Sequence, residues 1–170
     1  KDGKTWIGLG NDILKYGKEV AYNPGKNRWV AVGLGNNSIA YSENGIDWKG
    51  LGNDILPYGS GVAYSSQQDL WVAVGEGNNG IAISKNGIDW KGLGNDIIPY
   101  VSGVAYSSQQ DLWVVVGYGK NNIAYSKDGT EWISFGSDIF TNGGSGVTYS
   151  QQQNLWVAVG SGNSIAYSED

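Results

Sequence analysis

Asparagine, aspartate and tyrosine recur together along this sequence, in a pattern that suits bonding to hydroxyl groups and stacking on a ring. The candidate residues are Asn11, Asp12, Tyr16, Asn53, Asp54, Tyr58, Asn95, Asp96 and Tyr100, with Asn78, Asn79 and Asn121 on glycine-rich stretches nearby. Planar amides and carboxylates bond hydroxyl groups, while an aromatic face covers the C–H side of a sugar ring. Carbohydrate binding is therefore the first chemistry that the pattern indicates.

The same residue types also have a purely structural interpretation. Asp54 and its equivalents would then bond backbone amides at a turn, as Asp and Asn commonly do. Tyr58 and its equivalents would cover a hydrophobic edge. The composition of the motif does not separate these two interpretations.

Several other chemistries are excluded by composition. The chain has no cysteine and no histidine, and Arg28 is its only arginine, which removes catalytic triads and thiolate or imidazole metal sites. The net charge of −5 argues against nucleic acid as a partner. No apolar run is long enough for membrane insertion. The acids Asp54 and Asp96 recur as equivalents, whereas catalysis needs a differentiated acid and base, so we expect no enzymatic activity.

Two tryptophan series reveal an internal repeat that must position the candidate residues. Trp6, Trp48, Trp90 and Trp132 recur every 42 residues. The second series, Trp29, Trp71, Trp113 and Trp156, has spacings of 42, 42 and 43 residues. A period of this size indicates a solenoid, a propeller or an array. Because the second series lies within apolar runs, we expect its side chains to fill the space between repeats.

Each repeat contains four short β-rich runs, which we name strands A to D. In the second repeat they are residues 61–64, 70–74, 81–83 and 90–93, separated by turn-forming residues. These features predict an all-β protein: a β-propeller of four four-stranded antiparallel blades. We expect one domain over residues 1–170, with repeat units of about 11–52, 53–94, 95–136, and 137–170 plus 1–10.

The ends of the chain fall at one point of the repeat. Residues 5–10 correspond to a lone strand D, and the final repeat supplies A, B and C as far as Ser168. We therefore expect the N-terminal strand to complete the last blade and close the ring, which removes a free sheet edge. The pattern would also result from a segment of a longer array, or from two chains that exchange this strand to form a larger ring.

Ser126-Lys-Asp-Gly-Thr-Glu-Trp132 resembles the Asp-box of sialidase-type (BNR) β-propeller repeats, in a form one residue shorter. The resembling turns contain Ser42, Asn44, Gly45, Trp48, Ser84, Asn86, Gly87, Trp90, Ser126, Asp128, Gly129 and Trp132. The resemblance implies a structural hairpin turn away from any catalytic site. One arginine cannot form the arginine triad of sialidases. No cofactor is expected, although a carboxylate in this turn is a candidate calcium ligand.

Strand direction places the D–A and B–C loops, with all the candidate ligand residues, on one face. We expect a non-enzymatic module that binds glycans there through several weak, near-equivalent sites. The alternative is a structural or interaction domain without a small ligand, whose partner is another protein or another copy of the chain. Similar repeats in surface and virion proteins imply an extracellular, cell-surface or virion location. The glutamine-rich A–B turns on the opposite face are expected to be solvated.

Overall fold

The computed structural model describes residues 3–170, which fold into β-strands connected by turns. The strands are β1 (Tyr16–Asn23), β2 (Arg28–Leu34), β3 (Ile39–Ser42), β4 (Trp48–Gly50), β5 (Tyr58–Ser65), β6 (Leu70–Glu76), β7 (Ile81–Ser84), β8 (Lys91–Gly92), β9 (Tyr100–Ser107), β10 (Leu112–Tyr118), β11 (Ile123–Ser126), β12 (Ile133–Ser134), β13 (Gly144–Ser150), β14 (Leu155–Gly160) and β15 (Ile165–Ser168). The predicted all-β fold is confirmed. No helix capable of crossing a membrane occurs within residues 3–170.

The strands of each repeat pair antiparallel with one another, and we call each such set of strands a blade. The first three blades consist of β1–β4, β5–β8 and β9–β12, and the fourth of β13–β15. A single pairing between Glu76 and Tyr100 joins the second and third blades into one eight-stranded sheet. The outer strands are only two or three residues long, so strand D is shorter than the sequence predicts.

The core lies between blades, because the middle strand of each blade is apolar on both faces. In the second blade, Trp71 and Ala73 pack against Val30 and Val32 of the first. Residues Val72 and Val74 of the opposite face belong to a cluster with Trp113 of the third blade. This explains why strand B is a continuous apolar run. The expectation that the second tryptophan series fills the space between blades agrees with the burial of Trp71, Trp113 and Trp156. It is wrong for Trp29, which is partly exposed because no blade of residues 3–170 packs on the outer side of the first blade.

Innermost strands of neighbouring blades also lie close together. A Cβ atom added to Gly103 of β9 would stand 3.3 Å from the Cα atom of Gly146 in β13, so the close approach favours glycine. Between the first two blades, the Glu19 carboxylate accepts a hydrogen bond of 2.9 Å from the backbone N–H of Val62. Burial raises the pKa of Glu19, and this hydrogen bond partly opposes the rise.

The expected closure of the ring by the N-terminal strand is not formed in the structure. Residues 3–10 contain no strand, with Trp6 87% and Ile7 85% exposed. Within residues 3–170, strand β15 pairs only with β14, so the fourth blade has three strands there. The physical reason lies in the first blade: β1 is largely exposed and does not pack on β13 as it does on β5. The segment attached to it therefore does not reach β15.

Candidate functional site

The turns that resemble the Asp-box are built from internal hydrogen bonds. In the first copy, Ser42 Oγ accepts from the Gly45 N–H at 2.9 Å, and Asn44 Oδ1 accepts from the Ile46 and Asp47 N–H groups at 2.9 and 2.8 Å. Trp48 Nε1 donates to the Gly45 carbonyl at 3.1 Å. The backbone of Gly45 has a φ of +76°, a conformation that favours glycine at this position. These hydrogen bonds show that the residues of the turn stabilise its backbone conformation.

The third copy has an aspartate at the centre of the same turn. Hydrogen bonds from the Glu131 and Thr130 N–H groups lower the pKa of Asp128 to about 2. In the first two copies, the amide nitrogens of Asn44 and Asn86 instead donate to Asp47 and Asp89. The Asp128 oxygen is thus engaged by backbone N–H groups. Residues 3–170 contain no group of three or more acids that could hold a metal ion.

The B–C loops use one asparagine each to brace the neighbouring D–A loop. The bonds run from the amide nitrogens of Asn37, Asn79, Asn121 and Asn163 to the carbonyls of Ile13, Ile55, Ile97 and Ile139, over 2.7–2.9 Å. Asn79 Oδ1 also accepts from the Gly94 N–H at 2.8 Å. Of the predicted ligand residues, Asn79 and Asn121 therefore already have structural partners.

Asn53 and Asn95 behave in a similar way. Their amide nitrogens donate to the Gly35 and Gly77 carbonyls at 3.1 and 2.7 Å, and both side-chain oxygens are buried without a hydrogen-bond partner. Neither side chain has its polar atoms free for a ligand on the surface. The outcome differs for the predicted residues Asn11, Asp12, Asp54, Asn78 and Asp96, which are exposed and have no side-chain hydrogen bond to another residue in the described range 3–170.

Two of the predicted tyrosines lie in one continuous row across the second and third blades. Tyr58 is paired in register with Glu76, Glu76 with Tyr100, and Tyr100 with Tyr118. The three rings are 46%, 49% and 57% exposed, and those of Tyr100 and Tyr118 are 6.2 Å apart between centroids. We call these four residues the tyrosine row. It combines aromatic surface with one carboxylate in its middle.

Sequence reasoning missed Glu76 and Tyr118, although a signal for them exists. Both residues end strand B, directly before Gly77 and Gly119, at the start of the B–C loop. In an antiparallel hairpin, the end of strand B lies opposite the start of strand A. The predicted Tyr58 and Tyr100 begin strand A, so this register would have placed Glu76 and Tyr118 beside them.

The other two blades do not repeat the row. Tyr16 is 59% exposed but stands opposite Leu34, and the fourth blade has the glycine pair Gly144 and Gly160 at these positions. The four repeats therefore do not present equal copies of the surface.

The opposite face uses its polar side chains to hold neighbouring blades together. Gln68 of the second blade donates to Asp111 at 2.6 Å and accepts from Trp113 Nε1 at 2.8 Å. Tyr106 donates to the same Asp111 carboxylate at 2.5 Å. Hydrogen bonds from Tyr106 and Gln68 lower the pKa of Asp111, while burial and Asp111 raise the pKa of Tyr106 to about 12. The expectation of simple solvated turns is wrong here.

The first blade carries a variant of this network. Lys26 takes the position of Gln68 and pairs with Asp69 at 2.7 Å, and it also donates to the Lys85 carbonyl at 2.8 Å. Since Lys26 offers no acceptor, the indole N–H of Trp71 is buried without a hydrogen-bond partner. The A–B turn of the first blade thus still links it to the second blade, with changed chemistry, and Arg28 at the start of β2 adds a bond to the Asn86 carbonyl at 2.8 Å.

Comparison with known proteins identifies the architecture. No family model and no curated protein sequence matches the chain. Among solved structures, a nidogen–laminin complex matches with a TM-score of 0.69 and 15% identity over 85% of this chain and 56% of that chain. An ancestral GH74 enzyme matches with a TM-score of 0.68 and 15% identity over 91% of this chain and 23% of that chain. Both are β-propellers, so the chain has a propeller-type fold and spans about half or less of each match.

Proposed function

We propose that the chain is a non-enzymatic module that binds carbohydrate on the tyrosine row. The observation that carries this proposal is the register that aligns Tyr58, Glu76, Tyr100 and Tyr118 as one partly exposed strip. Exposed tyrosines offer ring faces for stacking and hydroxyl groups for bonding, at little conformational cost. The propeller fold supports the proposal as a frequent scaffold for binding proteins or ligands.

The acidic groups of this face complement the aromatic strip. Glu76 lies between two tyrosines, and the exposed Asp54 and Asp96 belong to the D–A loops that lead into the same strands. Carboxylates accept hydrogen bonds from sugar hydroxyl groups, and a neutral, hydroxyl-rich ligand suits a face without a cluster of lysine or arginine. We infer one extended site across two blades in place of several equal sites.

The arrangement favours binding over hydrolysis. Glycoside hydrolysis uses two carboxyl groups in different roles on either side of the scissile bond. Asp54 and Asp96 occupy equivalent, exposed loop positions, so neither is set apart as acid or base. A hydrolase assay on the oligosaccharides that bind checks this inference, with unchanged oligosaccharide as the expected result.

The test is a glycan array probed with the folded protein, followed by competition with the free sugar. Tyr58→Ala and Tyr100→Ala are the site variants, and Ile46→Ala is the matched control, because Ile46 is a 64% exposed apolar residue in a turn of the opposite face. We expect at least a tenfold loss of affinity in each tyrosine variant and none in the control. An array without competed binding, or equal affinity in all variants, would contradict the proposal.

A second candidate function, a protein-interaction domain without a small ligand, is favoured by a different observation. Large apolar side chains are exposed at both ends of the row of blades, including Trp6, Ile7, Ile165 and Tyr167. One structurally similar protein was solved as a nidogen–laminin complex, an example of a propeller in a protein assembly. A folded protein that binds no glycan and retains a defined protein contact would favour this candidate.

A further inference from the structure

The fourth blade leaves an apolar groove where the other blades have an outer strand. The groove has a volume of about 740 Å³ and is lined by residues of the third and fourth blades, among them Tyr125, Phe135, Trp156 and Tyr167. Along its rim, Ile165 is 70% and Tyr167 73% exposed. An uncovered strand edge beside exposed apolar side chains is a site for pairing with another strand.

In the complete blades, a tryptophan at the start of strand D reaches the interface with the preceding blade. Trp90 packs against the cluster between the first and second blades, and Trp132 is a buried member of the cluster between the second and third. The cluster between the third and fourth blades contains Trp156 and Leu112 but no tryptophan from a strand D. The groove therefore lies at the place where this side chain is missing.

The segment that matches the missing strand is present near the N-terminus, and it pairs with no strand of the described residues 3–170. Residues 5–10 correspond to strand D, and Trp6, Ile7 and Leu9 are 87%, 85% and 56% exposed. The segment already has the shape of the other copies: Gly3 has φ +69°, and Trp6 Nε1 donates to the Gly3 carbonyl at 2.9 Å. The corresponding bond from Trp48 to Gly45 measures 3.1 Å.

The two ends of the row of blades also expose the two halves of one interface. Wherever blades meet, a Trp-Ala or Trp-Val face packs on the Val-Val face of the preceding blade. The first blade leaves Trp29 and Ala31 partly exposed on its outer side, and the fourth leaves Val157 and Val159. These faces are complementary because they repeat an interface that the chain forms three times.

Backbone groups of Ile13 and Lys15, which follow residues 5–10, are hydrogen-bonded to the first blade. These bonds limit which groove residues 5–10 can reach. The Lys15 N–H donates to the Leu34 carbonyl at 2.8 Å, and Asn37 donates to the Ile13 carbonyl at 2.9 Å. Residues 5–10 can therefore occupy the groove only where a first blade stands beside a fourth blade. Within one chain, β1 does not pack against β13.

We propose that the occupant of the groove is residues 5–10 of a second copy of this chain, in a head-to-tail pair that exchanges both segments. Two copies supply eight blades, which lies within the range of about four to eight blades found in propeller rings. The proposal is independent of carbohydrate binding, because the groove is lined by residues of the third and fourth blades and by none of the tyrosine row.

The register of the new strand pair follows from the other blades. Tyr125 is paired with Ile133, and Tyr41 with Lys49, so Tyr167 of one copy should face Ile7 of the other. A polar contact is expected as well. Gln110 accepts from Trp156 Nε1 at 2.6 Å, as Gln68 does from Trp113, and Gln153 is placed to accept from the second copy's Trp29.

The mass of the protein in solution, measured by light scattering over a range of concentrations, tests the pairing. We expect twice the 18.1 kDa of the chain. Trp6→Asp should give single chains, and Ile46→Asp, which places the same charge on another exposed apolar residue, should remain paired. A single-chain mass for the unaltered protein, a pair unaffected by Trp6→Asp, or growth beyond two copies would overturn the proposal.

Disulfide cross-linking identifies the contact itself, since the chain has no cysteine. An equimolar mixture of Ile7→Cys and Tyr167→Cys should form a cross-linked pair under mild oxidation, because opposed residues of paired strands are close enough for a disulfide. A mixture of Ile7→Cys and Ile46→Cys is the control. Absence of a cross-link above the control, or an exclusively intrachain link in the double variant Ile7→Cys/Tyr167→Cys, would show that a second copy is not the occupant.

Discussion

The two faces of the row of blades use similar residue types in opposite ways. On the face of the A–B turns, Gln68 bonds Asp111 and the indole of Trp113 across a blade boundary, and Tyr106 donates to Asp111 within the third blade. On the other face, Tyr58, Tyr100 and Tyr118 keep about half of their surface exposed. The side chain of a tyrosine next to a carboxylate is thus hydrogen-bonded on one face and remains accessible on the other.

The exposure of a side chain and its hydrogen-bond partners, and not its residue type, therefore distinguish a binding surface from a structural surface. The asparagines of the B–C loops lie on the accessible face, yet Asn79 and Asn121 are used to brace neighbouring loops. Changes on the turn face should therefore act on stability. Changes in the tyrosine row should act on binding alone.

The largest effect is expected for the tryptophan that anchors the turn face. Trp113 is fully buried and its indole N–H is bonded to Gln68, so Trp113→Ala should lower the free energy of unfolding by about 3–5 kcal/mol. Chemical denaturation measures this change. Trp6→Ala is the control, measured at a low concentration at which the protein is a single chain, because Trp6 is 87% exposed. An equal loss of unfolding free energy in both variants would contradict this expectation.

A smaller loss of stability is expected when the polar link between blades is removed. Gln68→Ala leaves the Trp113 N–H without its acceptor and removes one donor to Asp111, which should cost about 1–3 kcal/mol. Gln109→Ala is the matched control, since Gln109 is an exposed neighbour of the equivalent turn. If the two variants unfold at the same denaturant concentration, the turn face does not hold the blades.

Acid stability should depend on the carboxylate of the third Asp-box-like turn. Because the pKa of Asp128 is lowered from 3.8 to about 2, its ionised form favours the folded state above pH 3.8, and this contribution is lost as the pH falls through about 2. Asp128→Asn retains the turn, as Asn44 and Asn86 show, and should flatten the decline of the melting temperature between pH 4 and 2. A melting temperature that declines as steeply in Asp128→Asn as in the unaltered protein would show that this carboxylate does not contribute to the acid sensitivity.

The smallest effect on stability is expected in the tyrosine row. Tyr100→Ala removes a ring that is 49% exposed, so the free energy of unfolding should change by less than about 1 kcal/mol while glycan affinity falls. Thermal unfolding and glycan binding measured on one preparation separate these effects. A large loss of stability would show that this ring is structural, as Tyr106 is.

Much of the architecture could be predicted because it follows from a sequence unit that repeats along the chain. The spacing of the tryptophans and the glycine-containing turns indicates repeated units of short antiparallel strands, and the structure is an all-β, propeller-type fold of such strands. The burial of Trp71 and Trp113 between blades also follows from their position in apolar runs. Such features depend on contacts within one unit or between adjacent units.

Features that depend on long-range geometry could not be predicted in the same way. Closure of the ring requires the first and fourth blades to meet, and the sequence contains no local signal for the angle between blades. The polar use of Gln68 and Asp111 was missed because these residues bond across blades. Glu76 and Tyr118 were missed because their place beside Tyr100 depends on strand register.

The most direct test of the two-face account is a map of backbone amide chemical shifts on titration with a glycan that the protein binds. We expect shift changes concentrated at Tyr58, Glu76, Tyr100 and Tyr118, with the amides of Gln68, Asp111 and the Asn86 turn unchanged. Shift changes centred on the A–B and C–D turns, or no site-specific change with any glycan, would contradict it.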